Sequence, residues 1–251
     1  MGVKLKKAYI AKDISKGKLK VTYDTASKKL PAWIEITGLP KKISLIKLRF
    51  NGELMYYRIY LHLDKIPIFI PVDYTKEEMK RFYDKDSESY DLDIGVRNRK
   101  ATEFLLRKIK LPKQSNVLDI GAGTGLSSIP FAKAGHDVTL VDYSQGMLNK
   151  AKLRKELKYC KFVRQDTRKL KLNKKYDLII SMFSFASNSY YKEAEMPRLW
   201  KQIRSHLKPN GQIAIMGYDF DPPKTLFQVL KSGKYNIYKK YISKWFIGEK
   251  K

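Results

Sequence analysis

The stretch that most constrains this chain is Val117-Leu118-Asp119-Ile120, which runs without a break into Gly121-Ala122-Gly123-Thr124-Gly125 and then into a helical pattern. An apolar strand that ends in a glycine loop and opens a helix is the unit from which an open α/β sheet builds a ligand crevice. Glycine has no Cβ, so the backbone there can pass within contact distance of a ligand. The helix entry adds N–H groups that the helix itself does not use. The spacing is G-x-G-x-G. It is not the dinucleotide G-x-G-x-x-G, because residue 126 is Leu, and it is not a P-loop, because no Gly-Lys-Ser/Thr follows.

Strands and helices alternate around this loop. The hydrophobic pattern predicts strands at Asn116–Ile120, Asp137–Val141, Lys161–Arg164, Tyr176–Met182 and Gln212–Met216, with helices at Val96–Ile109, Leu126–Ala134, Gln145–Leu157 and Met196–Leu207 between and around them. Such alternation implies an α/β fold, a mostly parallel sheet with helices on both faces. Met196, Trp200, Ile203 and Leu207 recur at helical spacing and read as core.

Before about residue 72 the texture is different. Ile46, Leu48 and Phe50 alternate with polar residues, Asn51-Gly52 follows, and Met55, Tyr57, Ile59, Leu61 and Leu63 alternate again. Asn-Gly between two alternating runs predicts a hairpin, because both residues tolerate positive φ. Lys18–Tyr23 and Trp33–Thr37 read as short strands, and Ile66–Val72, punctuated by Pro67 and Pro71, as an edge strand or connector. Thr75 with Glu78 three residues on reads as a capping box. The expected organisation is a β-rich N-terminal domain over 1–72 and an α/β domain over 73–251.

Composition narrows the setting. The longest apolar runs fall far short of the ~18 residues needed to span a bilayer. The N-terminal stretch lacks the apolar segment of a secretory signal and breaks the myristoylation pattern at Lys6. One cysteine, Cys160, rules out an internal disulfide framework, and three scattered histidines (His62, His136, His206) give no metal signature, so no metal is expected. These features point to a cytoplasmic globular protein. The net charge of +27 attracts polyanions, but 41 of the 52 basic residues are lysines, spread along the chain rather than gathered in a tail. Arginine is the stronger mark of bidentate phosphate recognition.

Acids stand at the ends of successive strands. Asp119 precedes the glycine loop, where a carboxylate suits a ligand with a cationic centre. Asp142 ends the next strand, the position at which an acid grips ribose hydroxyls. Asp166 ends the third. The pieces DIGAGTG, VDYS, RQDT, IISMF and LKPNGQIAI, in this order over about 75–218, resemble a class I S-adenosylmethionine-dependent methyltransferase, and the ubiquinone- and sterol-type small-molecule enzymes in particular.

The resemblance implies a Rossmann-like sheet of seven strands and S-adenosylmethionine as cofactor. It implies that Gly121, Ala122, Gly123 and Gly125 lie under the methionine moiety, with Asp119 near its ammonium. Asp142 would bind the ribose, and Tyr143 and Met147 would pack on the adenine. Asp166 and the Thr167 backbone would read the adenine edge. Ser181 and Met182 would line the sulfonium side, and Tyr90 would belong to an N-terminal lid. The family closes its sheet with a helix and an antiparallel hairpin, for which this chain has only ~35 residues after its fifth strand; Trp245-Phe246-Ile247 is a candidate for one of those strands.

No general base is marked by motif, so catalytic residues stay unassigned. Ser181-Met182-Phe183-Ser184 is not the Asn/Asp-Pro-Pro-Tyr/Phe box of base-amine methyltransferases, and Asp219-Phe220-Asp221-Pro222-Pro223 falls after the wrong strand. A small-molecule acceptor is therefore expected. The alternatives are an RNA methyltransferase, suggested by the alternating Tyr56, Arg58, Tyr60 and His62, and a non-catalytic cofactor-binding scaffold. Oligomeric state is not legible.

Overall fold

A computed structural model describes residues 9–10, 21–23, 34–36, 45–50, 53–63, 66–71, 80, 83–84, 87, 90–91, 96–184, 195–217, 220–238 and 241–251. The chain packs as two compact units, Met1–Phe82 and Tyr83–Lys251, where the change of sequence texture falls near residue 72.

The first unit contains a six-stranded sheet in the order β1-β4-β5-β6-β3-β2, formed by β1 (Tyr9–Ile10), β2 (Val21–Tyr23), β3 (Ile34–Ile36), β4 (Leu45–Phe50), β5 (Glu53–Leu63) and β6 (Ile66–Pro71). β4 and β5 pair antiparallel with Phe50 opposite Glu53, so two residues separate them, as the Asn-Gly signal requires. β6 is not an edge strand or connector: it pairs with β5 on one side and β3 on the other. Its prolines are tolerated there because β3 pairs only with Ile68 and Phe69, leaving Pro67 and Pro71 outside that ladder. The capping box at Thr75 and Glu78 lies outside the described residues.

The second unit is built on a seven-stranded sheet in the order β12-β13-β11-β10-β7-β8-β9. Its strands are β7 (Asn116–Ile120), β8 (Asp137–Asp142), β9 (Lys161–Arg164), β10 (Tyr176–Met182), β11 (Leu207–Gly217), β12 (Phe227–Tyr238) and β13 (Tyr241–Lys250). β7 to β11 are mutually parallel, and β13 runs antiparallel to both β11 and β12. The seven-stranded Rossmann-like sheet is therefore complete: the closing hairpin is present, with β13 wedged between β11 and β12.

Successive residues of the central strands face opposite cores. Leu118, Ile179, Ile213, Ile215 and Phe246 join one cluster, while Val117, Leu178, Ile180, Ala214, Trp245 and Ile247 join the other. A strand buried on both faces must be apolar at every position, which is why these runs are nearly continuous. Helix α4 (Met196–Ser205) covers the first face with Leu199, Trp200 and Ile203. Helices α1 (Val96–Leu106), α2 (Ile129–Lys133) and α3 (Gln145–Lys152) cover the second with Ala101 and Leu105, Phe131, and Ala151.

All four helices are shorter than their patterns predict: α1 stops at Leu106, and α4 stops at Ser205 because Leu207 already belongs to β11. α2 begins at Ile129, with Pro130 in its first turn, because the glycine loop continues as turns through Ser128. α3 ends at Lys152 and a 3-10 turn, Lys155–Leu157, takes over the remainder. No helix among the described residues is long and apolar enough to cross a membrane.

Candidate functional site

Strand order reverses at β7: the chain adds β8 and β9 on one side, then crosses to place β10 on the other. At such a switch point the loops leaving the carboxyl ends of neighbouring strands diverge and open a crevice. The segments at this point are Gly121–Gly125 after β7, Asp142 at the end of β8, and Met182–Ser184 at the end of β10.

The glycine loop is held by its own backbone. The Gly121 and Ala122 N–H groups both donate to the Val141 carbonyl (2.8 and 3.1 Å), and Gly125 N–H donates to the Ala122 carbonyl (2.9 Å). Gly123 N–H donates to Asp142 Oδ2 (2.8 Å). With these four donors engaged, the loop lacks the convergent free N–H groups on which phosphate binding depends. The glycines differ in what their missing side chains leave open. A Cβ on Gly121 would lie 2.0 Å from Ser184 Oγ, and one on Gly125 would lie 2.5 Å from Leu157, so protein already fills both spaces. A Cβ on Gly123 would meet nothing within 4 Å. The open part of the cradle is therefore at Gly123.

Asp142 joins the loop to the next helix. Its Oδ2 receives Gly123 N–H and its Oδ1 receives Ser144 N–H (2.8 Å), which leaves outer lone pairs on both oxygens. Burial pushes its carboxyl above the usual range, and the Ser144 and Gly123 N–H groups pull against that shift. Ser144 is the N-cap of α3, accepting from Met147 N–H at 3.1 Å. Tyr143 beside it stays 37% exposed at the rim, whereas Met147 is buried.

Asp119 is sealed beneath the loop rather than presented to it: its exposure is 0%. Its Oδ2 accepts from the Ser127 and Ser128 hydroxyls (2.5 and 2.7 Å), while Oδ1 has no hydrogen-bond partner. Desolvation raises its carboxyl from 3.8 to about 6, against the pull of the two serines. At the far tip, Asp166 caps the 3-10 turn at Thr167–Lys169 and is clasped by the Arg168 guanidinium at 2.5–3.0 Å. Gln165 N–H donates to the Asp142 carbonyl (3.1 Å), which brings the β9 tip alongside the β8 tip. Thr167 is buried.

Across the switch point, Ser181 is fully buried and shares a hydrogen bond with Ser184 (2.9 Å), whose hydroxyl donates to the Ile120 carbonyl (2.8 Å). Phe183 between them takes φ +61° and donates its N–H to the Met216 carbonyl (2.7 Å). A bulky residue in the left-handed region is a strained conformation that surrounding contacts must hold. Here it turns the chain so that Ser184 fills the space above Gly121. Met182 is buried next to the same loop. Phe220, from the Asp-Phe-Asp-Pro-Pro string, is core.

Three residues that the sequence did not single out complete the surroundings. Asp84 Oδ1 accepts from Ser144 Oγ (2.6 Å) and Gly146 N–H (2.9 Å). Asp91 Oδ1 accepts from Thr124 Oγ1 (2.5 Å), and its other oxygen pairs with Arg154. Arg154 Nε donates in turn to the Thr124 carbonyl (2.7 Å). Tyr90 lies in this 83–91 segment, half-buried and edge-on to Tyr83 with ring centroids 6.5 Å apart. The lid-like resemblance around Tyr90 pointed toward Asp91, and a local signal for Asp84 was Gly146 in the first turn of α3, where a Cβ would come within 2.6 Å of the Asp84 carbonyl. No group of three or more His, Cys, Asp or Glu among the described residues could hold a metal ion.

A seven-stranded sheet of this order, with a G-x-G-x-G loop and an acid at the next strand tip, has the fold of class I S-adenosylmethionine-dependent methyltransferases. Residues 117–211 match the family described as "Methyltransferase domain". Among curated relatives, a demethylmenaquinone methyltransferase of Renibacterium salmoninarum is 27% identical over 166 residues, 62% of this chain and 66% of that protein. A glycine/sarcosine N-methyltransferase of Halorhodospira halochloris is 29% identical over 155 residues, 59% and 56% of the two chains. The chain thus spans between about half and two thirds of the length of these relatives. Magnesium protoporphyrin IX methyltransferase of Synechocystis, solved with bound S-adenosylmethionine, superposes with a TM-score of 0.50 at 22% identity, over 63% of this chain and 82% of that one.

Proposed function

We propose that the protein transfers the methyl group of S-adenosylmethionine to a small-molecule acceptor. The observation that carries this reading is the Asp142 bridge. An acid that receives both the glycine loop and the α3 entry by N–H donation is fixed in place, with lone pairs left for two vicinal hydroxyls. Four of the five loop N–H groups are spent, and two carboxylates stand where a phosphate would be repelled. That combination suits a ribose joined to a cationic group and disfavours a nucleotide.

The chain fits this cofactor on two further counts. Gly123 leaves open space at the cradle. The unpartnered Oδ1 of Asp119 adds negative potential under the loop, acting from beneath rather than by direct contact. In this reading Asp142 holds the ribose, Tyr143 and Met147 flank the adenine, and Asp166 and Thr167 meet its edge. Gly121, Ala122, Gly123 and Gly125 underlie the methionine part, Ser181 and Met182 border the sulfur, and Tyr90 covers it. When bound, S-adenosylmethionine supplies an electrophilic methyl on a sulfonium whose departure leaves a neutral thioether. The residues' task is then alignment, which supplies ~7–11 kcal/mol when two partners are held near attack distance. A general base matters only for an acceptor protonated at working pH, and none is assigned. One cysteine in 251 residues suits a reducing compartment, and a cytoplasmic site of action belongs to this reading.

The test is incubation of the protein with methyl-labelled S-adenosylmethionine and separate small-molecule, RNA and protein fractions of the source cell. Label is expected in the small-molecule fraction. Label in RNA alone would move the acceptor class, and turnover in no fraction despite tight cofactor binding would make the protein a scaffold. In parallel, Asp142→Ala should weaken S-adenosylhomocysteine binding by ~1–3 kcal/mol, the cost of an unpaired polar contact.

A further inference from the structure

We propose that residues 153–161, which join α3 to β9, dock the protein on an anionic lipid surface, with Leu153 and Tyr159 entering the headgroup layer and the lysines around them meeting its charge. The inference is independent of what the crevice binds.

Two large hydrophobic side chains are left almost wholly in water here. Leu153 is 82% exposed and Tyr159 is 89% exposed, whereas the next most exposed among the described residues, Leu230, reaches 42%. The segment that carries them is pinned to the fold. Leu157, between them, is fully buried, and a Cβ on Gly125 would lie 2.5 Å from its Cδ1. Arg154 N–H donates to the Ala151 carbonyl (3.1 Å), Leu157 N–H to the Arg154 carbonyl (3.0 Å) and Cys160 N–H to the Leu157 carbonyl (2.9 Å). These successive tight turns hold Leu157 inward and leave Leu153 and Tyr159 outside. One exposed Leu is ordinary on a protein surface. Two such residues in one short, pinned segment point to a partner that is apolar where they reach it.

The charge around them selects that partner. Residues 150–161 hold six basic side chains and one acid, Glu156. Lys152, Lys155, Lys158 and Lys161 are exposed, and Lys158 Nζ stands 4.5 Å over the Tyr159 ring. The arginine of the run, Arg154, is already engaged: its Nε donates to the Thr124 carbonyl (2.7 Å) and its guanidinium pairs with Asp91. The exposed cations of this run are thus ammonium groups on flexible stems, which attract diffuse negative charge but do not fork onto single phosphates. A leaflet of anionic headgroups offers such a field, with hydrocarbon just beneath it for Leu153. The Tyr159 ring, apolar in its body and polar at its tip, suits the boundary between the two. Single-stranded RNA would satisfy the lysines and stack on Tyr159, but it has no apolar layer for Leu153. A second copy of the chain would set the same positive charge against itself.

The experiment is co-sedimentation of the full-length protein with two kinds of vesicle, phosphatidylcholine alone and phosphatidylcholine with one third phosphatidylglycerol, at low and high salt. The parent is expected to bind the anionic vesicles at least tenfold more tightly than the neutral ones, and more weakly as salt rises. The paired variants Leu153→Ser with Tyr159→Ser, and Lys155→Gln with Lys158→Gln, should each weaken that binding about fivefold or more. Lys201→Gln with Lys224→Gln makes the same charge change at exposed positions on α4 and ahead of β12, and should stay within about twofold of the parent. All six positions are exposed, so thermal melts followed by circular dichroism should match the parent. Equal binding to the two vesicles, or to neither, overturns the proposal. So does an equal loss in the Lys201–Lys224 pair, which would make the attraction a property of net charge. Loss with the lysine pair but not with the Leu153–Tyr159 pair overturns the apolar entry. A single-stranded RNA oligonucleotide that displaces the parent from anionic vesicles, and whose own binding falls in both 153–161 variants, would assign the surface to nucleic acid instead.

Discussion

Asp119 shows how one residue can be legible in type and hidden in environment. Its place before the glycine loop follows from the sequence, but its burial follows from Ser127 and Ser128, whose hydroxyls close over it from the start of the next element. A carboxyl raised from 3.8 to about 6 by burial is easier to hold in the fold when protonated. The sign follows from linkage: its contribution to stability is fully present below the unfolded value and is lost as pH rises through the folded one. A shift of this size corresponds to about 3 kcal/mol. Asp119→Asn, whose neutral amide resembles the protonated carboxyl, should therefore gain on the parent as pH rises. The unfolding free energy of the parent minus that of the variant is expected to fall by roughly 2–3 kcal/mol between about pH 4 and about pH 7, measured by urea titration. A difference that stays flat across that range would mean the carboxyl is not desolvated as described.

Within the glycine loop, each element around the crevice asks something different of each glycine. Gly121 and Gly123 both take positive φ, +66° and +54°, where an L side chain is strained by ~1–2 kcal/mol. Gly121→Ala adds a collision with Ser184, itself held by Ser181 and the Ile120 carbonyl, so the end of β10 must move. Gly123→Ala meets no protein atom and intrudes only on the open cradle. Gly121→Ala is thus expected to lower the melting temperature clearly more than Gly123→Ala. Gly123→Ala should weaken S-adenosylhomocysteine binding at least tenfold while the protein stays folded. Equal losses of stability in the two variants would refute the distinction. The sequence carried the loop, the five parallel strands and Asp142 because these signals are local: apolar runs, glycine spacing and strand-end acids. It did not carry Asp84, Asp91 or Arg154, whose partners lie 30 to 63 positions away, and Arg154 stands in a run of lysines that reads as a solvated face. The closing hairpin was only partly visible, because β12 contains Lys231, Gly233 and Lys234 and is broken by register shifts that blur its alternation. Fully buried Phe227 and Phe246 nonetheless make it part of the core, each worth ~1.5–3 kcal/mol of burial.

On the scale of the whole molecule, the two compact units divide the work unequally. Every residue given a cofactor role in the proposed reading lies in Tyr83–Lys251. The excess of basic residues does not follow that division: by sequence the first unit carries a formal charge of +10 and the second +17, so charge alone assigns neither unit a polyanionic partner. A unit with a complete sheet, its own two-faced core and all the described residues of the proposed crevice is expected to bind the cofactor by itself. No described residue of it is marked for the acceptor, and the proposed reading gives the first unit a part in acceptor choice. Deleting residues 1–72 should then leave S-adenosylhomocysteine binding within about threefold of the full-length value by calorimetry, while methyl transfer to the natural acceptor falls below detection. A folded truncation that still turns over at the parent rate would show that the acceptor site is contained in the methyltransferase domain. One that folds but no longer binds the cofactor would show that the first unit helps to build the crevice.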